Sequence, residues 1–293
     1  MKKLMLLTLF LQSITLFGTD DSEKQSPSYI IPLLNIPISF EQKDGQLTNL
    51  EILDTAFLHG LLVRLQKNDN SLTLQTMIGQ HVLLWATKHI LGFLNVLGHE
   101  LGHAIVWKQS GNCKTGPRIV IKYSPPTLFT GMYSGVTEAT VYTDFTIAKE
   151  RKILLSNKRQ ETDPNDLIIT NKESYFEWAH KVQKRCFQDI AATLAGPVAG
   201  ITTTSILMYA LSYIQPTLWS QEIDNIDLAI LIVSAPMAQN ILSLLPSYNE
   251  DAKTWSDGAQ IWDAWQRIQE IEEITEQVHA LSDGSEVTLY YDK

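Results

Sequence analysis

Apolar residues gather into four runs separated by charged stretches, and each run has the length or the setting of a helix. The first, Leu4 to Gly18 behind Lys2 and Lys3, has the basic start and short apolar stretch of a secretory signal. Gly18 is preceded at the relevant distance by Leu16 rather than alanine, so residues 1–18 fit a cleaved signal peptide and an uncleaved anchor alike. Residues 19–80 are expected to follow as an exported region. The second run, Val82 to Trp107, is long enough as a helix to cross about 30 Å of hydrocarbon, although Lys88 and His89 move its lipid-embedded start towards Ile90. The third, Ile190 to Ile214, is uncharged for 25 consecutive residues, and the fourth, Leu228 to Pro246, contains Pro236 and Asn240. Both meet the length of a spanning helix.

The polar stretches carry a different pattern. Arg118 to Tyr123 and Tyr133 to Phe145 alternate or run β-branched between the turn signals Gly116-Pro117, Pro125-Pro126 and Gly131, which predicts a small hairpin after the second run. Asn157 to Asp166 is polar and reads as a loop, and Glu173 to Gln188 reads as a partly amphipathic helix leading into the third run. Ile261 to Leu281 has apolar residues at helical spacing with an acidic face, and 286–291 suits a short final strand. The expected fold class is therefore α: a multi-pass membrane helical bundle with a β-hairpin insertion. The expected core is 81–262 with its insertion at 110–186, and 263–293 form a C-terminal helix and tail.

Composition changes this picture in two places. A net charge of -9 with 44% apolar residues argues against nucleic acid as a partner and gives no general basic surface for anionic substrates, while the lipid bilayer is expected as a partner from the apolar runs. Of the 23 lysines and arginines, 13 lie between the second and third runs, and residues 215–225 have none. The positive-inside tendency then puts the long segment in the cytosol and the short one outside. Cys113 and Cys186 have no metal-site or redox-pair spacing and get no role.

The candidate chemistry sits near the end of the second run. His99-Glu100-Leu101-Gly102-His103 places two imidazoles four residues apart on one helical face, where they can share a divalent ion, with Glu100 beside them to take a proton from water activated by zinc. Placing such groups in lipid costs about 2.5–3.5 kcal/mol for each one that is charged, which implies a use. A third protein ligand is required. Alternating topology brings the C-terminal ends of the second and fourth runs together, so Asp251, Asp257 and Asp263 are in range. Asp257 is favoured because Gly258 permits a tight turn and close backbone approach. Val106 and Gln109 occupy the positions where a metzincin needs glycine and histidine. A glutamate ligand, Glu173 or Glu177, would fit only a soluble helical core. Ser134 lacks the spacing of a nucleophile elbow.

Three elements in order, His99 to His103, Ala195-Gly-Pro-Val-Ala199, and Asn240 to Pro246 followed by Ser256-Asp257-Gly258, resemble those of the site-2 protease type of intramembrane zinc metalloprotease, over residues 82–262. The resemblance implies zinc on His99, His103 and Asp257, Glu100 as general base, and Asn240 as a polar contact near the scissile carbonyl. It implies a zinc endopeptidase acting on membrane protein substrates. The expected localisation is integral and multi-pass, of the bacterial inner-membrane kind, with the active site toward the cytosolic side. The stretch between Asn240 and Asp257 is longer than the compact form of the motif. A tethered zinc peptidase with a soluble catalytic domain and a non-catalytic zinc-binding scaffold are the rival expectations. Separately, Ala192, Gly196 and Gly200 form one smooth helical face, matched by Gly98 and Gly102, so these two helices are expected to pack closely. Pro197 leaves the Thr193 carbonyl without its usual partner.

Overall fold

A computed structural model describes residues 28–42, 73–111, 113–123, 133–141, 153–156, 172–213, 225–249, 254–280 and 288–291. The expected signal segment, the loop at 157–166 and most of the exported region lie outside the described residues.

Helix α1, Leu74–Ser110, begins eight residues before the predicted apolar run because Thr73, in extended backbone, accepts a hydrogen bond from the Thr76 amide at 3.2 Å. It ends where Gly111 turns into the left-handed region at φ 68°. Neither Lys88 nor His89 interrupts it. Helix α2, Lys172–Ser212, fuses the predicted amphipathic helix and the third apolar run into one element that continues through Pro197. Helix α3 is Asn225–Ser243 and contains Pro236, and helix α4 is Asp257–Ala280. Two of these four, α1 and α2, are long and apolar enough to cross a membrane.

Three apolar clusters join the elements. In one, Tyr175, Ala179, Val182 and Cys186 on the first half of α2 pack against Ala264, Ile268, Ile271, Ile274 and Val278 of α4. In another, the second half of α2 contributes Leu207, Met208 and Leu211 to Leu84 and Leu91 of α1 and Ile232 and Val233 of α3. Helix α2 thus belongs to two layers, and only the second is the apolar bundle.

The third cluster corrects the sequence picture. Strands β1 (Ser28–Ile31), β2 (Ile36–Gln42), β3 (Cys113–Tyr123) and β4 (Tyr133–Val141) form a four-stranded sheet in that order. The predicted hairpin is β3 and β4, but β2 joins it in parallel, with Ile38 opposite Ile119 and Phe40 opposite Ile121. Ile36, Ile38, Ile119 and Ile121 bury their side chains against Ala104, near the end of α1. Lys108 also donates to the Leu34 and Asn35 carbonyls in the turn between β1 and β2. The β1–β2 turn therefore sits near the Ser110 end of α1, and β2 runs back along the helix beside the insertion until Phe40 stacks on Phe93 at 6.2 Å. Gly116-Pro117 is not a turn: β3 runs through it with a register shift against β4.

Two short pairings complete the architecture. Strand β5 (Ile153–Ser156) pairs antiparallel with β8 (Thr288–Tyr291), which is the predicted final strand. Strand β6 (Tyr248–Asn249) pairs with β7 (Thr254–Trp255) just before α4.

Candidate metal centre

His103 projects from α1 about 10 Å before its Ser110 end and His99 about 16 Å before it. Asp257, the first residue of α4, faces them: its carboxylate oxygens lie 3.2 Å from His99 Nε2 and 3.5 Å from His103 Nε2, and the two Nε2 atoms are 3.1 Å apart. An ion held tetrahedrally at about 2.0–2.1 Å would separate its ligand atoms by about 3.3 Å, and the distance between the rings and the distance from each ring to its nearer carboxylate oxygen are close to that. Among the described residues this is the one group of three or more potential metal ligands.

The outer hydrogen bonds fix which nitrogen each ring offers. His103 Nδ1 lies 2.8 Å from the Ala192 carbonyl, which only accepts, so Nδ1 carries the hydrogen and Nε2 presents its lone pair. His99 Nδ1 lies 3.0 Å from Asn240 Oδ1. The Asn240 amide is oriented in turn, because its Nδ2 donates to the Pro236 carbonyl at 3.0 Å and to Asn95 Oδ1 at 2.6 Å. Two Nε2 lone pairs and a carboxylate therefore converge on one point, a repulsive arrangement that a cation relieves. The donor set of two imidazoles and one carboxylate fits zinc with an open fourth position.

Asp257 reaches this point through its own local structure. Ser256 caps α4, its Oγ accepting from the Ala259 amide at 3.2 Å, and an acidic residue in the first turn complements the helix dipole. The extra residues between Asn240 and Asp257 fold out as the β6–β7 hairpin. Ser247 and Ser256 meet beneath it, with the Ser256 amide donating to the Ser247 carbonyl at 2.9 Å and the Ser247 amide to Ser256 Oγ at 2.8 Å. The chain thus returns at Ser256 to where it stood at Ser247. Gly258 serves a purpose other than a turn: it lies within the helix, and a Cβ there would collide with the Leu244 carbonyl and the Leu245 backbone. Of the other carboxylates in range, Asp263 pairs with Arg267 at 2.9 Å, and Asp251 lies outside the described residues. Glu173 and Glu177 are exposed at the far end of α2, and Glu177 is 15 residues, about 22 Å of helix, from Ala192.

The small residues of α2 are shaped to the site as well as to α1. A Cβ on Gly196 would fall on the His103 ring, and one on Gly200 on the Asn240 amide. Gly102 approaches the Ala195 carbonyl and Ala199, and Gly98 approaches Thr203, as the matching faces predicted. The carbonyl that His103 meets is that of Ala192, next to Thr193, whose own helical partner Pro197 removes.

Glu100 is 6% exposed and lies under β4. Thr137 Oγ1 is 2.7 Å from its Oε2. Neither Thr137 nor Gly135 has a sequence signal, because strand alternation alone does not say which face meets α1. Asn95 did have one, as a polar residue four positions before His99 inside an apolar run. Both amide hydrogens of Asn240 are engaged by protein acceptors, Asn95 Oδ1 and the Pro236 carbonyl. Replacing Asn240 by Ala is expected to weaken metal binding about 10–100-fold, as losses of an outer hydrogen bond to a ligand do. Chelator competition measures it.

No family model, curated protein or solved structure matches this chain.

Proposed function

We propose that this chain is a membrane-embedded zinc endopeptidase of the site-2 protease type, which hydrolyses peptide bonds of membrane protein substrates. The observation that carries the reading is the convergence of His99, His103 and Asp257, from opposite ends of the core, at the spacing of a tetrahedral cage. Glu100 adjoins that cage. When bound, zinc polarises a carbonyl and lowers the pKa of water towards about 7.

The protein's own groups supply the rest. His99 and His103 are held rigid by Asn240 and the Ala192 carbonyl. Glu100 takes a proton from the attacking water on its carboxylate and passes it to the nitrogen of the leaving amine. A substrate helix must unwind before attack, since its peptide groups are otherwise bonded internally. Strand β4 is at the edge of the sheet and lies over Glu100, so an unwound segment can add to it as a further strand.

Two features favour a bilayer around α1 and α2 over a tethered soluble domain. Only 33% of each apolar window is buried, whereas the core helix of a soluble domain is mostly covered. Leu74, Ile78, Val82 and Ile90 of α1 and Val198, Ile206 and Tyr209 of α2 are exposed. With α3 as a third span and the lysine- and arginine-rich segment inside, the site faces the cytosolic side. The β1–β2 pair then shares that side with the insertion, in place of the exported position expected for it.

Metal analysis of the purified full chain tests this reading together with cleavage of a transmembrane substrate. The expected result is one zinc per chain, with Asp257→Ala losing more affinity than the roughly 10–100-fold of an outer-shell change. Full zinc occupancy in that variant, or a zinc-loaded wild-type chain that cleaves no peptide bond, would overturn it.

A further inference from the structure

The carboxylate of Glu100 rests in a seat built by β4. Residues 135 and 137 lie on the same face of that strand, two positions apart. At 135 the seat is a gap: a Cβ there would fall on Cγ, Cδ and Oε1 of Glu100, so with glycine the side chain keeps this position, and a larger residue would push it aside. At 137 it is a donor. Thr137 Oγ1 lies 2.7 Å from Glu100 Oε2 and 3.0 Å from the Glu100 carbonyl oxygen. A threonine hydroxyl has one hydrogen to give, and both acceptors belong to the same residue. The carboxylate oxygen is the closer and the charged acceptor, so it takes the hydrogen, and the carbonyl lies at the longer distance. The contact also crosses between elements, since Glu100 belongs to α1 and Thr137 to the sheet.

We infer that Thr137 is a positioning residue for the base: its hydroxyl holds Oε2 of Glu100 and so leaves Oε1 as the oxygen that accepts the proton from the attacking water. This rests on the reading of Glu100 as general base. Thr137 need touch neither substrate nor ligand side chains to do so. It acts by narrowing the orientations of a side chain that would otherwise rotate, and orientation of a catalytic group enters the rate of the chemical step rather than the binding of substrate. The sheet thereby becomes part of the catalytic apparatus and not only a platform beside it.

The test compares full-length, zinc-loaded wild-type chain with Thr137→Val, which keeps the shape and removes the hydroxyl, and Thr137→Ser, which keeps the hydroxyl. A lost orienting bond is expected to lower kcat about 10–100-fold in the valine variant, with KM and chelator-measured zinc affinity within about two-fold of wild type. Serine is expected to recover most of the rate. If the valine variant does not fold, Thr137→Ala removes the hydroxyl without adding bulk and is read by the same criteria. An unchanged kcat overturns the inference. So does a fall in zinc affinity or a rise in KM parallel to the loss of rate, because that marks β4 as structural packing. A wild-type chain no faster than Glu100→Gln removes the base itself, and the role of Thr137 with it, whereas a fast wild type with an indifferent Thr137→Val removes only the latter.

Discussion

Glu100→Gln is expected to bind zinc as the wild type does and to lose cleavage, with kcat down about 10²–10⁴-fold, the range that general acid–base catalysis supplies. The substitution is close to isosteric in a position that is 6% exposed, and the new side-chain carbonyl can still accept the Thr137 hydroxyl. The three ligands are untouched. What disappears is the ability to take a proton from water and to return it to the departing nitrogen. The measurement is single-turnover cleavage of a transmembrane substrate beside zinc content of the same preparation. Retained proteolysis at normal zinc content would show that Glu100 is not the base, and zinc loss would show that its charge is needed to hold the ion.

The helices are legible in the sequence because an apolar run of spanning length rarely folds as anything else, and the ligand pair because four-residue spacing needs no tertiary information. Asp257 is legible from chain topology, since antiparallel helices return their ends to the same layer. The sheet is not. β2 pairs in parallel with β3 across the whole of α1, and nothing in Ile36 to Gln42 says which distant strand it will join. The hairpin signal in residues 113–141 is local, yet the hairpin's function of covering Glu100 depends on which face meets the helix. Glycines show the same limit. Gly258 and Gly196 stand out in sequence as permissive residues, but the neighbour that needs the space is a carbonyl in one case and an imidazole in the other. For Asn240 the resemblance implies a polar contact near the scissile carbonyl, whereas the contact of its oxygen with His99 is visible only once its amide is oriented by the Pro236 carbonyl.

Gly196→Ala is expected to damage the site with a single added methyl. In an exposed helix interior the substitution would stabilise by about 1 kcal/mol, because glycine has the greater backbone freedom to lose. Here the added Cβ would land on Nε2, Cε1 and Cδ2 of His103. Neither side can yield cheaply: the ring is tethered through Nδ1 to the Ala192 carbonyl on the same helix as Gly196, and α1 and α2 are already in contact at Gly102 and Ala195. Overpacking of this kind typically costs about 1–3 kcal/mol, and a displacement of about 1 Å at a reacting centre can cost 10²-fold in rate. The expected result is therefore a folded chain with at least about 100-fold less activity and weakened zinc binding, read by chelator competition and cleavage together. Gly116→Ala is the control, since a Cβ there meets nothing within 4 Å. If Gly196→Ala kept both zinc and activity, His103 would have to be free to move, and the rigid two-imidazole grip on which the proposed chemistry depends would be wrong.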